Sequence, residues 1–274
     1  MIAAEGQRAG PGTIGVLAVA TAVLVFLIAP VVIIVIVSFS GADYLTFPPP
    51  SLSLRWYERF AGAPGWRQAI AVSAQVAGLT TVFATALGLP AALALVRGQF
   101  RYKGAAYAFL LSPMIVPTII TAIGLYFFFA RWKATGSILA MALGHTVLAL
   151  PLVVIIIAAT LQGFDVRLEL AALSLGASRW LALRRITLPL IAPGVLSAAL
   201  FAFLASFDEL LIPLFLSGVE VQTLTVRIWN SLLLEVDPTI AAVSSFLIAV
   251  TCVVLGASAA LRRKGEHDDR HVER

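Results

Sequence analysis

The 274-residue sequence predicts an all-α, polytopic membrane protein with six transmembrane helices, and three observations predict it. The first is composition: 60% of the residues are hydrophobic and 12% charged, about half the charged share of an ordinary soluble domain. The second is the distribution of the few charges, which leaves charge-free runs at residues 9–42, 68–96, 104–130, 134–164, 186–207 (continuing to 219) and 238–261. Each exceeds the ~20 helical residues that a bilayer core of roughly 30 Å requires. The third is that thirteen of the nineteen Lys and Arg residues fall on one side of the implied topology, in the N-terminus, the 97–103 loop, the 163–185 loop and the C-terminal tail. That bias places both termini and the 163–185 loop in the cytoplasm.

Taken in order, residues 1–12 are small and polar and read as a cytoplasmic tail, followed by a membrane domain over 13–262 and a second tail over 263–274. The apolar stretch from Ile14 to Val37 is longer than the core of a secretory signal and reads as an anchor. Beyond it, Pro48 to Pro50 stiffen an extended external segment leading to Trp56 and Tyr57. Trp56, Trp66, Trp132 and Trp229 fall near the outer ends of spans, where an aromatic belt is expected. Pro113 and Pro117 must kink or unwind the third span, which makes residues 113–121 candidates for lining a pathway. His145 is the one histidine within a span and reads as a hydrogen-bonded packing residue beside Thr146.

The fifth span carries Asp208 and Glu209 in the segment LASFDELLIP. On a continuous helix the two would point about 100° apart and share one edge of a lumen. Carboxylates at that depth cost at least ~2.5 kcal/mol each on insertion scales, so they predict either an anionic patch on a cation pathway or an ion pair with a second subunit. The external loop over 217–238 offers a surface for a soluble partner. In the tail, His267 and His271 stand four apart in a segment expected to lack order, and no metal site is assigned.

Several function classes are excluded. None of the three lysines is followed by Ser or Thr, so there is no nucleotide-binding loop, and no HExxH helix, GxSxG elbow or Cys/His cluster is present. The chain is therefore not read as an enzyme. Inverted halves are not evident. The net charge of +5 is explained by topology and needs no nucleic acid, and the single cysteine, Cys252, forbids an intrachain disulfide.

The most informative stretch lies in the cytoplasmic loop, FDVRLELAALSLGASRWLALRRITLPLIAP. Asp165 is an N-cap candidate for a helix on which Leu168, Ala171, Ala172 and Leu175 form one apolar stripe, with Arg167, Glu169 and Ser174 off it. Gly176 then stands where a left-handed residue ends the helix, and Ser178 caps a second helix that runs through Arg184 and Arg185 into the next span. The product is an amphipathic knob suited to a groove on another protein.

Ala171-Ala172, three residues, Gly176, nine residues, Ile186, one residue and Leu188-Pro189 resemble the cytoplasmic loop signature of the inner-membrane permease subunits of bacterial ABC importers. One position departs: the family's Glu falls on Leu170, and the nearest carboxylate is Glu169, about 100° round the helix. IAPVVIIVIVSFS, LLSPMIVPTIITAIGLYFF and SFDELLIPLF extend the resemblance to the spermidine/putrescine group, in particular the second of its two permeases. The resemblance implies a type I ABC importer permease fold in the bacterial inner membrane. It also implies partners: ATPase subunits that bind ATP–Mg, a second and different permease, and an extracytoplasmic substrate-binding protein. It assigns ATPase coupling to Arg167, Glu169, Ala171, Ala172 and Gly176, and leaves Asp208, Glu209 and Pro117 as substrate-pathway candidates. Two alternatives stay open: the same architecture serving ferric iron, sulfate or thiosulfate, and an ATP-independent channel or secondary carrier.

Overall fold

A computed structural model describes residues 11–234 and 237–272. Twelve α-helices run through the described residues: α1 (Pro11–Ser38), α2 (Arg55–Gly62), α3 (Pro64–Arg97), α4 (Lys103–Leu111), α5 (Thr118–Arg131), α6 (Ile138–Gln162), α7 (Arg167–Ser174), α8 (Arg179–Ala182), α9 (Leu188–Phe207), α10 (Leu211–Leu216), α11 (Leu224–Leu234) and α12 (Thr239–Val272). Five helical stretches are long and apolar enough to cross a membrane, and a sixth arises when the bent pair Lys103–Met114 and Thr118–Arg131 is counted as one span. That pair turns by 95°, as Pro113 and Pro117 require. The first ten residues of the expected N-terminal tail lie outside the described residues, and its last two already belong to α1.

The chain divides into two units, residues 1–62 with 231–246, and residues 63–230 with 247–274. In the first, α1 leaves its apolar side chains uncovered, Phe26 being 78% exposed. Its α-helical backbone satisfies its own hydrogen bonds, so lipid suffices as its surroundings. Ser38 donates to the Val35 carbonyl and pairs with the Tyr57 hydroxyl at 2.7 Å. The external segment folds back through an antiparallel bridge between Ser40 and Leu52, with Ser53 N–H donating to the Phe39 carbonyl at 2.7 Å. Arg59 pairs with Asp237 at 3.1 Å, and the Asp237 carboxylate accepts the Thr239 N–H at the start of α12.

The second unit is organised by α3, α6 and α9, which pack on one another around Ala84, Ala92, Ala149, Val153, Ile157, Ala198 and Ala202. Small residues let the backbones approach, the usual basis of helix association where lipid and protein interior are equally apolar. At Gly194 the approach is close enough that a Cβ would lie 2.2 Å from Thr160 Oγ1.

Four expectations are corrected. The fifth span does not run on to residue 219: it ends at Phe207, and a break separates it from α10. The external loop contains a helix, α11, of eleven residues. Trp56 and Trp66 are buried beneath the guanidinium groups of Arg55 and Arg227, at 4.4 and 4.9 Å, whereas Trp132 and Trp229 remain exposed as belt residues would be. Finally, α12 continues to Val272 through the segment expected to lack order, because its Arg, Lys and Glu residues sustain a helix once the span has nucleated it.

Candidate functional site

The predicted knob forms α7 and α8. Ser178 Oγ accepts the Leu181 N–H at 3.2 Å and is the N-cap of α8 as its position implies, whereas the N-cap of α7 is Val166 and Asp165, one residue earlier, accepts the Arg167 N–H at 2.9 Å through Oδ1. Between the helices, Gly176 N–H donates to the Leu173 carbonyl and Ala177 N–H to the Ala172 carbonyl, each at 3.0 Å. This is a Schellman closure, and it holds Gly176 at φ +89°, a left-handed conformation that glycine adopts without a Cβ penalty.

After α8 comes a π turn, Leu183–Thr187, in which Leu188 N–H reaches the Leu183 carbonyl. Pro189 follows at once. It has no N–H for the Arg185 carbonyl and crowds it, which favours a wider turn at that point.

The faces of α7 divide differently from the apolar stripe alone. Leu168, Leu170, Ala171 and Leu175 are exposed, Leu175 at 90%, while Glu169, Ala172 and Leu173 turn toward the body. Arg167 is exposed at the start of the helix. Glu169 Oε1 accepts a hydrogen bond from Arg97 Nη1 at 2.5 Å and another from the buried Thr187 hydroxyl. The Arg97 guanidinium also lies 5.4 Å from the Phe164 ring centroid. Trp180, on α8, is exposed beside the knob.

The second candidate region lies at the other end of α9, whose 20 residues separate it from the loop by about 30 Å. Asp208 and Glu209 are not neighbours on a continuous helix; they occupy the break. Pro213 explains it. A helix through this region would set the Pro213 ring against the Glu209 carbonyl and offer that carbonyl no N–H. The freed carbonyl instead accepts the Thr225 hydroxyl at 2.8 Å. Glu209 Oε1 accepts the Leu211 N–H at 2.8 Å and the Ile212 N–H at 3.4 Å, so this carboxylate caps α10. Asp208 is exposed, and among the described residues no Lys or Arg pairs with it. Pro117 is exposed at the N-terminus of α5 and relates to the break only through the packing of α5 against α10.

A buried polar chain anchors the end of α9. Thr80 Oγ1 donates to the Ala142 carbonyl at 3.2 Å, and Ser206 Oγ donates to Thr80 Oγ1 at 3.2 Å. With its proton so committed, Ser206 accepts from His145 Nδ1–H at 2.7 Å, which fixes the imidazole tautomer. Ser73 Oγ accepts the Leu224 N–H at 2.8 Å, tying α11 to α3. His145 is thus a packing residue joining α6 to α9, as its position beside Thr146 suggests.

Residues 84–264 match the family model for the binding-protein-dependent transport system inner membrane component. The spermidine/putrescine transport system permease protein PotC of Haemophilus influenzae is 33% identical over 246 residues, covering 89% of this chain and 95% of that protein. The putrescine transport system permease protein PotI of Escherichia coli K12 is 31% identical over 236 residues, covering 84% of each. A chain from the crystal structure of a bacterial ABC transporter involved in the import of the acidic polysaccharide alginate superposes with a TM-score of 0.66, covering 95% of this chain and 99% of that one. At 14% identity this last likeness shows the fold, that of a type I ABC importer permease.

Proposed function

Because the chain belongs to the family of binding-protein-dependent transport system inner membrane components, transport permease subunits rather than enzymes, we propose that it forms half of the translocation pathway of an ATP-driven importer for polyamines. It is a multi-pass protein of the bacterial inner membrane, and its N- and C-termini face the cytoplasm in this reading. A second, different permease completes the pore, two ATPase subunits bind ATP–Mg beneath it, and an extracytoplasmic binding protein delivers the ligand.

One observation carries the choice of a cationic substrate: the exposed Asp208 carboxylate at the break between α9 and α10, with no Lys or Arg pairing it among the described residues. An exposed carboxylate just past the outer end of the span attracts cations, and an ammonium group entering the pathway supplies the counter-charge. Glu209 shapes the break and Pro117 the neighbouring kink. The relatives named for spermidine and putrescine support the same class.

The knob supplies the coupling. Leu168, Leu170, Ala171 and Leu175 present an open apolar face for the ATPase, with Arg167 at its edge and Gly176 setting the angle between the two helices. ATP-driven closure of the ATPases moves the docked knobs and tilts α6 and α9 between inward-open and outward-open arrangements.

The test is uptake of radiolabelled putrescine by cells producing the complex, with and without Asp208→Asn. Loss of about 1.4 kcal/mol of charge pairing corresponds to roughly tenfold slower uptake, while the purified complex keeps its ATPase subunits. Uptake at the wild-type rate by Asp208→Asn refutes the pathway role. A complex that fails to assemble points instead to an ion pair with the companion permease.

A further inference from the structure

The coupling loop carries a single acidic residue between its helices' caps, and that residue does not face outward. Glu169 is tucked against the body with its side chain 16% exposed, and one oxygen, Oε1, accepts both Arg97 from the end of α3 and Thr187 from the threshold of α9. The same guanidinium covers Phe164, which follows the end of α6. Lys103 Nζ donates to the Val96 and Gly98 carbonyls at 3.3 and 3.1 Å, holding the α3 terminus that carries Arg97. One carboxylate therefore joins the knob to the ends of the three helices that form the packed centre of the unit. The next position along, Leu170, is 55% exposed and apolar.

We propose that Glu169, Arg97 and Thr187 form an intrachain latch that makes the knob and the α3–α6–α9 centre one mechanical body, leaving the apolar face, with Arg167 at its edge, to meet the ATPase. Glu169 is a positioning residue, acting through Arg97 and Thr187 rather than on a ligand. An ion pair two-thirds or more withdrawn from water, with a second donor on the same oxygen, resists screening better than an exposed pair. Without it, α7 is joined to the body through the partly buried Ala172 and Leu173, its packing on α8 and on residues 183–187, and the turns at Gly163 and Gly176. The inference rests on the reading of residues 163–185 as the ATPase-coupling loop.

The experiment uses the assembled complex in lipid nanodiscs with Cys252→Ser, and spin labels at Ala94→Cys on the exposed side of α3 and Ser174→Cys on the knob, off the apolar face. With the latch intact, the label-to-label distance gives one narrow peak whose position is the same without nucleotide and after trapping with ATP and vanadate. Glu169→Gln, which keeps the shape and removes the charge, loses that single peak, and the reversed pair Glu169→Arg with Arg97→Glu restores it. Putrescine taken up per ATP hydrolysed falls several-fold in Glu169→Gln and recovers in the reversed pair. The latch is refuted if the narrow peak survives Glu169→Gln, or if the wild-type distance shifts on trapping. Failure of any ATPase to accompany the purified chain would instead remove the coupling-loop reading, and the Ala94–Ser174 peak in the chain alone still decides whether the latch exists.

Discussion

Replacing Gly176 isolates the cost of one backbone conformation. The residue sits at φ +89°, and a Cβ built on it would meet nothing within 4 Å. Crowding is therefore absent, and the whole penalty is that of holding an L-residue in the left-handed region, roughly 1–2 kcal/mol. In a closure made of the two hydrogen bonds from Gly176 to Leu173 and from Ala177 to Ala172, that penalty raises the population of the opened turn by a factor of about 5–30. Gly176→Ala shows this increase in amide hydrogen exchange measured by mass spectrometry on the segment 167–185, Gly176→Val at least as large a one, and Gly176→Asn a smaller one because Asn tolerates the region. The opened turn no longer fixes the angle between α7 and α8, so transport per ATP falls in the order Asn, Ala, Val. Unchanged exchange in Gly176→Val, or Asn as disruptive as Val, refutes the reasoning.

Three further outcomes follow from the packing. Gly194→Ala places a methyl 2.2 Å from Thr160 Oγ1, and the resulting separation of α6 and α9 costs about 1–3 kcal/mol, read as a lower thermal midpoint in detergent that Thr160→Ala partly recovers. Ser206→Ala strands the buried His145 Nδ1–H and costs about 1–3 kcal/mol by the same measurement, whereas His145→Phe combined with Ser206→Ala costs less than the sum of the single changes. Arg59→Ala removes an ion pair whose arginine side chain is 60% exposed, so the midpoint shifts by less than about 1 kcal/mol equivalent.

The spans were legible because charge is costly in lipid, and the absence of charge over more than 20 residues leaves little else for those segments to be. The 95° turn was legible for a similar reason: Pro113 and Pro117 lie within the segment they bend. The break at Asp208 and Glu209 was harder to read because its cause sits downstream. Pro213 disrupts the carbonyl four residues before it, and that spacing to Glu209 was the signal available. Glu169 was assigned by its place in the loop, but its partners are 72 and 18 residues away, and nothing local to α7 foretells them. The eleven residues of α11 are apolar but too few for a span, and the hydrogen bond from Leu224 N–H to Ser73 on α3 links positions 151 residues apart that no local pattern connects.

The π turn between α8 and α9 sets the heading of everything before it. An i→i+5 step accommodates one residue more than a regular helical step, so the Leu183–Thr187 segment contains a surplus residue. Excising it would wind the preceding chain by about 100° and draw it in by ~1.5 Å, turning the knob's greasy side away from the direction in which it now points. The bearing of the contact face is thus written as a count of residues, like the tooth number of a gear, and a single deletion there misaims the chain while leaving every side chain of the face intact.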